Sequence, residues 1–179
     1  MATGAYAEYT ACPAEKAIKV PSSIPEKHAA AAILQGLTAL TLVREAHKVE
    51  KGDHVLVHAA AGGVGLWLCQ ILKAIGATTI GTASTAEKCQ LALDNGADHM
   101  IDYSKDSVPE KVKEICGSGG VKVVFDGVGK STFEGSMEAV GRKGSMISFG
   151  NASGAVPPVT IAYFSHLSLL HFQVWARGC

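Results

Sequence analysis

The chain has 179 residues, enough for one substantial domain and short for two. Apolar residues make up 47% and charged residues 18%, an ordinary globular balance. Sixteen basic against sixteen acidic side chains weigh against the strong basic footprint of an electrostatic nucleic-acid binder. Five scattered cysteines, Cys12, Cys69, Cys89, Cys116 and Cys179, contain no C-x-x-C pair. They point to neither a disulfide framework nor a thiolate zinc site, and Cys69 and Cys89 read as small core residues on helices. The first residues lack the basic and apolar regions of a signal peptide, and no apolar run approaches the roughly 20 residues that span a bilayer. The expected compartment is therefore reducing and cytoplasmic, with no membrane partner.

Residues 4–20, GAYAEYTACPAEKAIKV, read as two short strands around a turn at Pro13. Residues 25–48, rich in alanine and leucine with Pro25 near the start, read as one or two helices. From residue 51 to 150 strands and helices alternate. DHVLVHAA (53–60) is a buried strand, and GVGLWLCQILKAIG (63–76) a helix closed by Gly76. TTIGTA (78–83) is a second strand, and STAEKCQLALDNG (84–96) a helix with Ser84 and Glu87 spaced as a capping box and Gly96 as its stop. DHMIDY (98–103), VKVVFDGV (121–128) and GSMISFG (144–150) are further strands, with helices around 106–116 and 130–140 between them. This rhythm implies right-handed βαβ crossovers and a parallel sheet covered by helices on both faces. Two prolines demote SGAVPPVTIA, after Asn151, to an edge strand at best.

The turn AAGGVG at 60–65 follows a strand and opens a helix, which is the context a dinucleotide-binding fingerprint requires. In G-x-G-x-x-G the first glycine makes a tight turn, the second admits a pyrophosphate to the backbone, and the third lets helix and strand pack closely. Those positions here are Ala60, Gly62 and Gly65, with Gly63 as an extra. A methyl at residue 60 is tolerable if that residue need not visit positive φ. The helix starting near Gly63 aims free N–H groups and its positive dipole end at the phosphates.

The end of the second strand, GTAS (81–84), lacks the Asp or Glu that holds a ribose 2′-hydroxyl in NAD-preferring sites. Lys88 follows one helical turn after Ser84, and a hydroxyl with an ammonium suits a 2′-phosphate. The reading is NADP over NAD. Tyr103 closes the third strand, where it could lie beside the adenosine; taken alone it is a half-buried core tyrosine. His54 and His58, on one face of a strand, are too far apart to chelate one metal unaided and read as satisfied structural histidines.

ILQGLTA (33–39), VHAAAGGVG (57–65), IGTASTAEK (80–88), IDYS (101–104), FDGVG (125–129) and SFGNASG (148–154) together resemble the NADPH-dependent quinone oxidoreductases. These are the zeta-crystallin-like, zinc-free branch of the medium-chain dehydrogenase/reductases, and the likeness covers about residues 4–162. It implies an α/β fold: a Rossmann-type doubly wound parallel sheet of order 3-2-1-4-5-6, preceded by a remnant of a GroES-like β domain. The implied organisation is a GroES-like remnant at 1–22, connecting helices at 23–50, the NADPH-binding domain at 51–162 and an atypical tail at 163–179. It also implies Thr38 near the nicotinamide end, Gly62, Gly63 and Val64 on the pyrophosphate, and Ser84, Lys88 and Tyr103 around the 2′-phosphate. Val128, Phe149, Gly150 and Asn151 would border the nicotinamide ribose and ring. VPPVTIA (156–162) becomes the expected dimer edge, pairing with its twofold mate.

The resemblance departs from the family where a substrate domain of roughly a hundred residues should precede Met1, so the chain is expected to be a truncated product lacking most of the substrate pocket. Residues 163–179 are expected not to continue the family pattern. The activity implied is hydride transfer from NADPH to a quinone, with no catalytic acid or base to name. Rival readings are a reductase of enones or enoyl thioesters, a non-catalytic crystallin-like or RNA-binding module, and an inert folded domain.

Overall fold

The structure, a computed structural model, describes residues 4, 6–160 and the backbone of 171–174. Six parallel strands form one sheet: β1 His54–Val57, β2 Thr78–Ala83, β3 His99–Asp102, β4 Val121–Asp126, β5 Val140–Ser148 and β6 His171–Val174. Their order is β3-β2-β1-β4-β5-β6, the Rossmann-type order expected, with its switch point between β1 and β4.

Strand composition explains why helices must cover both faces. Val55, Leu56 and Val57 are all fully buried, so β1 has no wet face. Alternate side chains go to opposite cores. Val55, Val57, Val123, Phe125 and Ile147 pack with α1 (Glu26–Thr41) and α2 (Gly63–Ile75), through Ala39, Leu68 and Leu72. Leu56, Ile80, Val124 and Met146 pack the other way, on Val112 of α4 (Val108–Cys116) and on Phe133 and Met137 of α5 (Phe133–Ala139). Each such side chain contributes about 1.5–3 kcal/mol by leaving water. Between β2 and β3 runs α3, Ala86–Asp94.

In α2 the buried positions Gly65, Leu68, Cys69 and Leu72 fall at helical spacing, and Gly76 ends the helix at φ +85° while its N–H returns to Leu72 O at 3.0 Å. Beyond α1, Leu42–Ala46 form one wide turn of π-helix before the chain extends at His47.

Three expectations are corrected. Among the described residues 6–20 there is no strand, only a 3₁₀ turn at Ala14–Lys16, and Tyr6, Tyr9 and Ile18 are exposed. A strand needs a partner for its N–H and C=O groups, and an isolated pair is marginal in water. The cap of α3 is Thr85 rather than Ser84: Thr85 is extended and its hydroxyl accepts from Lys88 N–H at 3.3 Å. Glu87 is then two residues past the cap, so no capping box forms. Finally, residues 156–160 form no strand, as Pro157 and Pro158 cannot donate to a ladder. The outer strand is β6, which pairs with Ser145–Ser148 and lies in the tail that was expected not to continue the family pattern. Residues 161–170 and 175–179, with Cys179 and the end of the expected dimer edge, lie outside the described residues.

Candidate functional site

The site grows from the chain reversal after β1. Ala59 takes φ +51°, so the left-handed residue is Ala59, and Ala60 is spared that conformation. Ala60 instead donates its N–H to Thr82 O at 3.0 Å. Its methyl has a use: a side chain at Gly81 of β2 would meet Ala60 Cβ at 2.7 Å and collide with Met100 Sδ, so Ala60 and Met100 together fill the space that Gly81 leaves. Gly62 N–H returns to Ala59 O at 2.8 Å and closes the turn. A Cβ at Gly65 would stand 2.6 Å from Ala60 O and collide with Ala59 O as well, so α2 can approach β1 this closely only with glycine there. Gly62, as the N-cap, has no side chain to cap the helix, and its first-turn N–H groups point out at the sheet's carboxyl end.

Neighbouring strand ends complete the surroundings. Tyr103 N–H donates to Ala83 O at 3.1 Å, which seats Tyr103, 54% exposed, beside Ser84. Lys88 is exposed in the first turn of α3 and has no ion-pair partner among the described residues. The loops after β4 and β5 interlock: Phe149 N–H reaches Asp126 O at 2.9 Å and Ser153 N–H reaches Val128 O at 2.8 Å. Phe149 lies against Gly127 and Asn151 against Gly129, where side chains would collide.

A cleft of about 410 Å³ opens between these ends, with His58, Ala59, Thr82, Tyr103 and Val128 in its walls. Of the residues expected at the site, Tyr103 and Val128 line this cleft. Gly62, Gly63 and Val64 head α2 next to the turn, and Ser84 and Lys88 follow β2. Gly150 and Asn151 lie in the loop after β5. Thr38 is buried on α1, its hydroxyl donating to Leu34 O at 2.7 Å. A separate apolar hollow of about 550 Å³ lies between residues 16–24 and α1, away from the strand ends.

Sequence reasoning missed the polar core beneath the cleft. His58, 4% exposed, contacts Thr82 Oγ1 through Nδ1 at 3.1 Å and Ser136 Oγ through Nε2 at 2.9 Å, so it is the satisfied histidine expected. Ser136 Oγ donates to Asp126 Oδ2 at 2.9 Å. Asp126 also accepts from Val128 N–H at 2.8 Å, Gly129 N–H at 3.0 Å and the Thr132 hydroxyl at 2.7 Å. Burial holds the His58 pKa below its ordinary value, against the opposing pull of Asp126. The available signal was an aspartate closing the apolar strand VKVVFD, since a buried carboxylate must be met by donors.

A model of the zinc-binding dehydrogenase family matches residues 63–177. The chain belongs to this family. The match runs past residue 162, where the sequence likeness had been expected to stop. The quinone oxidoreductase of Salmonella typhimurium is 46% identical over 168 residues, 94% of this chain and 51% of the relative. The 2-haloacrylate reductase of a Burkholderia species is 42% identical over 88% of this chain and 48% of its own length. The solved structure of Escherichia coli quinone oxidoreductase complexed with NADPH superposes with a TM-score of 0.88 at 43% identity, covering 91% of this chain and 50% of the other. The chain thus spans about half the length of the curated relatives it matches. The family description names zinc, but among the described residues no group of three or more His, Cys, Asp or Glu side chains converges to hold a metal.

Proposed function

We propose that this chain is the NADPH-binding part of a quinone oxidoreductase, serving hydride transfer from NADPH to a quinone. The observation that carries the reading is the uncapped start of α2 behind a turn in which Gly65 has no room for a side chain. NADPH fits these residues: the cradle is backbone, positively polarised and free of bulk, the end of β2 carries no carboxylate, and Lys88 follows it in the first turn of α3, next to Glu87. Gly62, Gly63 and Val64 hold the pyrophosphate through backbone N–H groups. Ser84, Lys88 and Tyr103 surround the adenosine 2′-phosphate, with Lys88 supplying the charge. Val128, Phe149, Gly150 and Asn151 border the nicotinamide end, and Thr38 approaches it from α1. When bound, the cofactor supplies the hydride; the protein's part is to position it and exclude water, and no side chain here is assigned as acid or base.

The substrate pocket belongs to further structure, with residues 1–22 as its edge, 23–50 as connecting helices and 51–162 as the nucleotide domain. The reaction is zinc-free and its setting cytoplasmic, and the balanced charge supports a chain with no nucleic-acid partner. No helix among the described residues is long and apolar enough to cross a membrane. The assembly is a homodimer meeting at the outer edge of the sheet, now β6 rather than 156–162. A second reading, reduction of an activated alkene, is favoured by the likeness to 2-haloacrylate reductase.

The test is a fluorescence titration of the chain with NADPH and NADH, with Lys88→Ala alongside. NADPH should bind more tightly than NADH, and Lys88→Ala should remove about 1.5–3 kcal/mol, roughly 10- to 150-fold in NADPH affinity alone. A folded chain that binds neither nucleotide overturns the proposal. Turnover of a quinone against a 2-haloacrylate separates the two substrate readings.

A further inference from the structure

The hydrogen atoms of the buried polar core can be assigned from its connections. Asp126 Oδ1 receives two backbone N–H groups and Oδ2 receives hydroxyls, so this carboxylate only accepts. Ser136 therefore spends its one hydroxyl hydrogen on Asp126, and its oxygen is left to accept from His58 Nε2. The proton of the neutral ring is then on Nε2, which leaves Nδ1 as an acceptor for the Thr82 hydroxyl. Thr82 Oγ1 in turn accepts from Ala59 N–H at 3.3 Å. One directed chain runs Ala59 N–H, Thr82, His58, Ser136, Asp126, and Asp126 grips the N–H groups of Val128 and Gly129.

Its two ends are the opposite walls of the crevice. Ala59 sets the turn that precedes α2, and Val128 and Gly129 form the loop after β4. These strands flank the switch point; His58 directly follows β1, its N–H on Phe125 O of β4 at 3.1 Å, and its ring lies between Thr82 and Ser136. Resting on the nucleotide site proposed above, we infer that His58, as the neutral Nε2–H tautomer, is a positioning residue that ties both walls of the crevice together, so that protonating it loosens both at once. A second proton on Nδ1 leaves the Thr82 hydroxyl hydrogen without its acceptor, and Thr82 must turn. The charged or titratable groups facing His58 are Asp126 of β4, one hydroxyl away, and Tyr103 and Asp106 across the cleft; β2 and α5 present the hydroxyls of Thr82 and Ser136.

The experiment uses the whole chain. Long-range ¹H–¹⁵N correlation spectra read the His58 tautomer, and the amide signals of Ala59, Val128 and Gly129 are followed from pH 8 to pH 5.5. Calorimetric titration with NADP⁺ covers the same range for wild type and His58→Gln, whose amide keeps a donor toward Ser136 and does not titrate. The expected result is Nε2–H at pH 8 and three amides that move together as His58 titrates. Wild type should also lose at least about twofold, and less than tenfold, more NADP⁺ affinity on acidification to pH 5.5 than His58→Gln, since the buried ring takes up its proton below its ordinary range. A proton on Nδ1, amides that stay still while His58 titrates, or equal pH profiles for the two proteins overturns the inference. If His58→Gln does not fold, the wild-type spectra alone decide. Should NADP⁺ fail to bind at any pH while the tautomer and amide shifts appear, the nucleotide reading fails and the tie between the walls stands.

Discussion

Gly65→Ala is the sharpest perturbation of the turn after β1. An added Cβ lands 2.6 Å from Ala60 O and collides with Ala59 O, both backbone atoms that cannot swing aside. Ordinary contact needs about 0.8 Å more, so α2 must lift off β1 or the turn must flatten, and overpacking of this kind costs about 1–3 kcal/mol. The gain in helix propensity from glycine to alanine returns at most about 1 kcal/mol. The net loss is about 1 kcal/mol and at most about 2, or roughly 2–4 °C in melting temperature for a domain of this size. Gly63→Ala is the matched control: its Cβ meets the tip of Gln35 at 2.6 Å, a flexible side chain that can move away, so its melting temperature should stay near wild type. Differential scanning calorimetry reads both, with circular dichroism to confirm folding. If Gly65→Ala melts within about 1 °C of wild type, or Gly63→Ala is the more damaging of the two, the close-approach argument is wrong.

Asp126→Ala strips partners from two backbone N–H groups and two hydroxyls in a buried setting, and should cost at least about 3 kcal/mol in urea unfolding; a loss under about 1 kcal/mol would mean water replaces the carboxylate freely. The His58 pKa is lowered in the folded chain, so below about pH 6.5 the unfolded chain takes up a proton that the folded chain refuses. His58 therefore costs no stability above that pH, and stability falls as the pH drops through the window below it, by up to about 1.4 kcal/mol per unit. The difference between wild type and His58→Gln across pH 7.5–5.5 isolates this contribution, and a flat difference refutes it. Burial pushes the Cys69 thiol up to about 11, whereas Cys12 is exposed. Mass-resolved thiol labelling at pH 8 should tag Cys12 at once and Cys69 only as the chain opens.

The alternation of strands and helices was legible because its evidence is local: buried apolar strands, helix stops at Gly76 and Gly96, and a glycine turn in the correct context; the order of the strands across the sheet came only from the family resemblance. The places where the reading failed depend on what lies beside a segment rather than within it. Residues 6–20 carry strand-like composition but find no partner among the described residues. His171–Val174 gains strand character from the free edge of β5, a neighbour some 25 positions earlier in sequence that no periodicity in the tail announces. Ala60 shows the same dependence. At the level of the motif it is a missing glycine, yet the positive φ falls one residue earlier, and the methyl packs where Gly81 leaves room. A fingerprint records which atoms a backbone must avoid, and the glycine it requires can move to the facing strand. This places a constraint on variants: Ala60→Gly alone should open a void against Gly81, whereas Gly81→Ala with Ala60→Gly exchanges the methyl between strands. The double variant should recover the part of the loss that the Ala60 clash causes, while Met100 must still shift its thioether from the new methyl; a double variant no better than the sum of its parts would show that the two positions do not share one space.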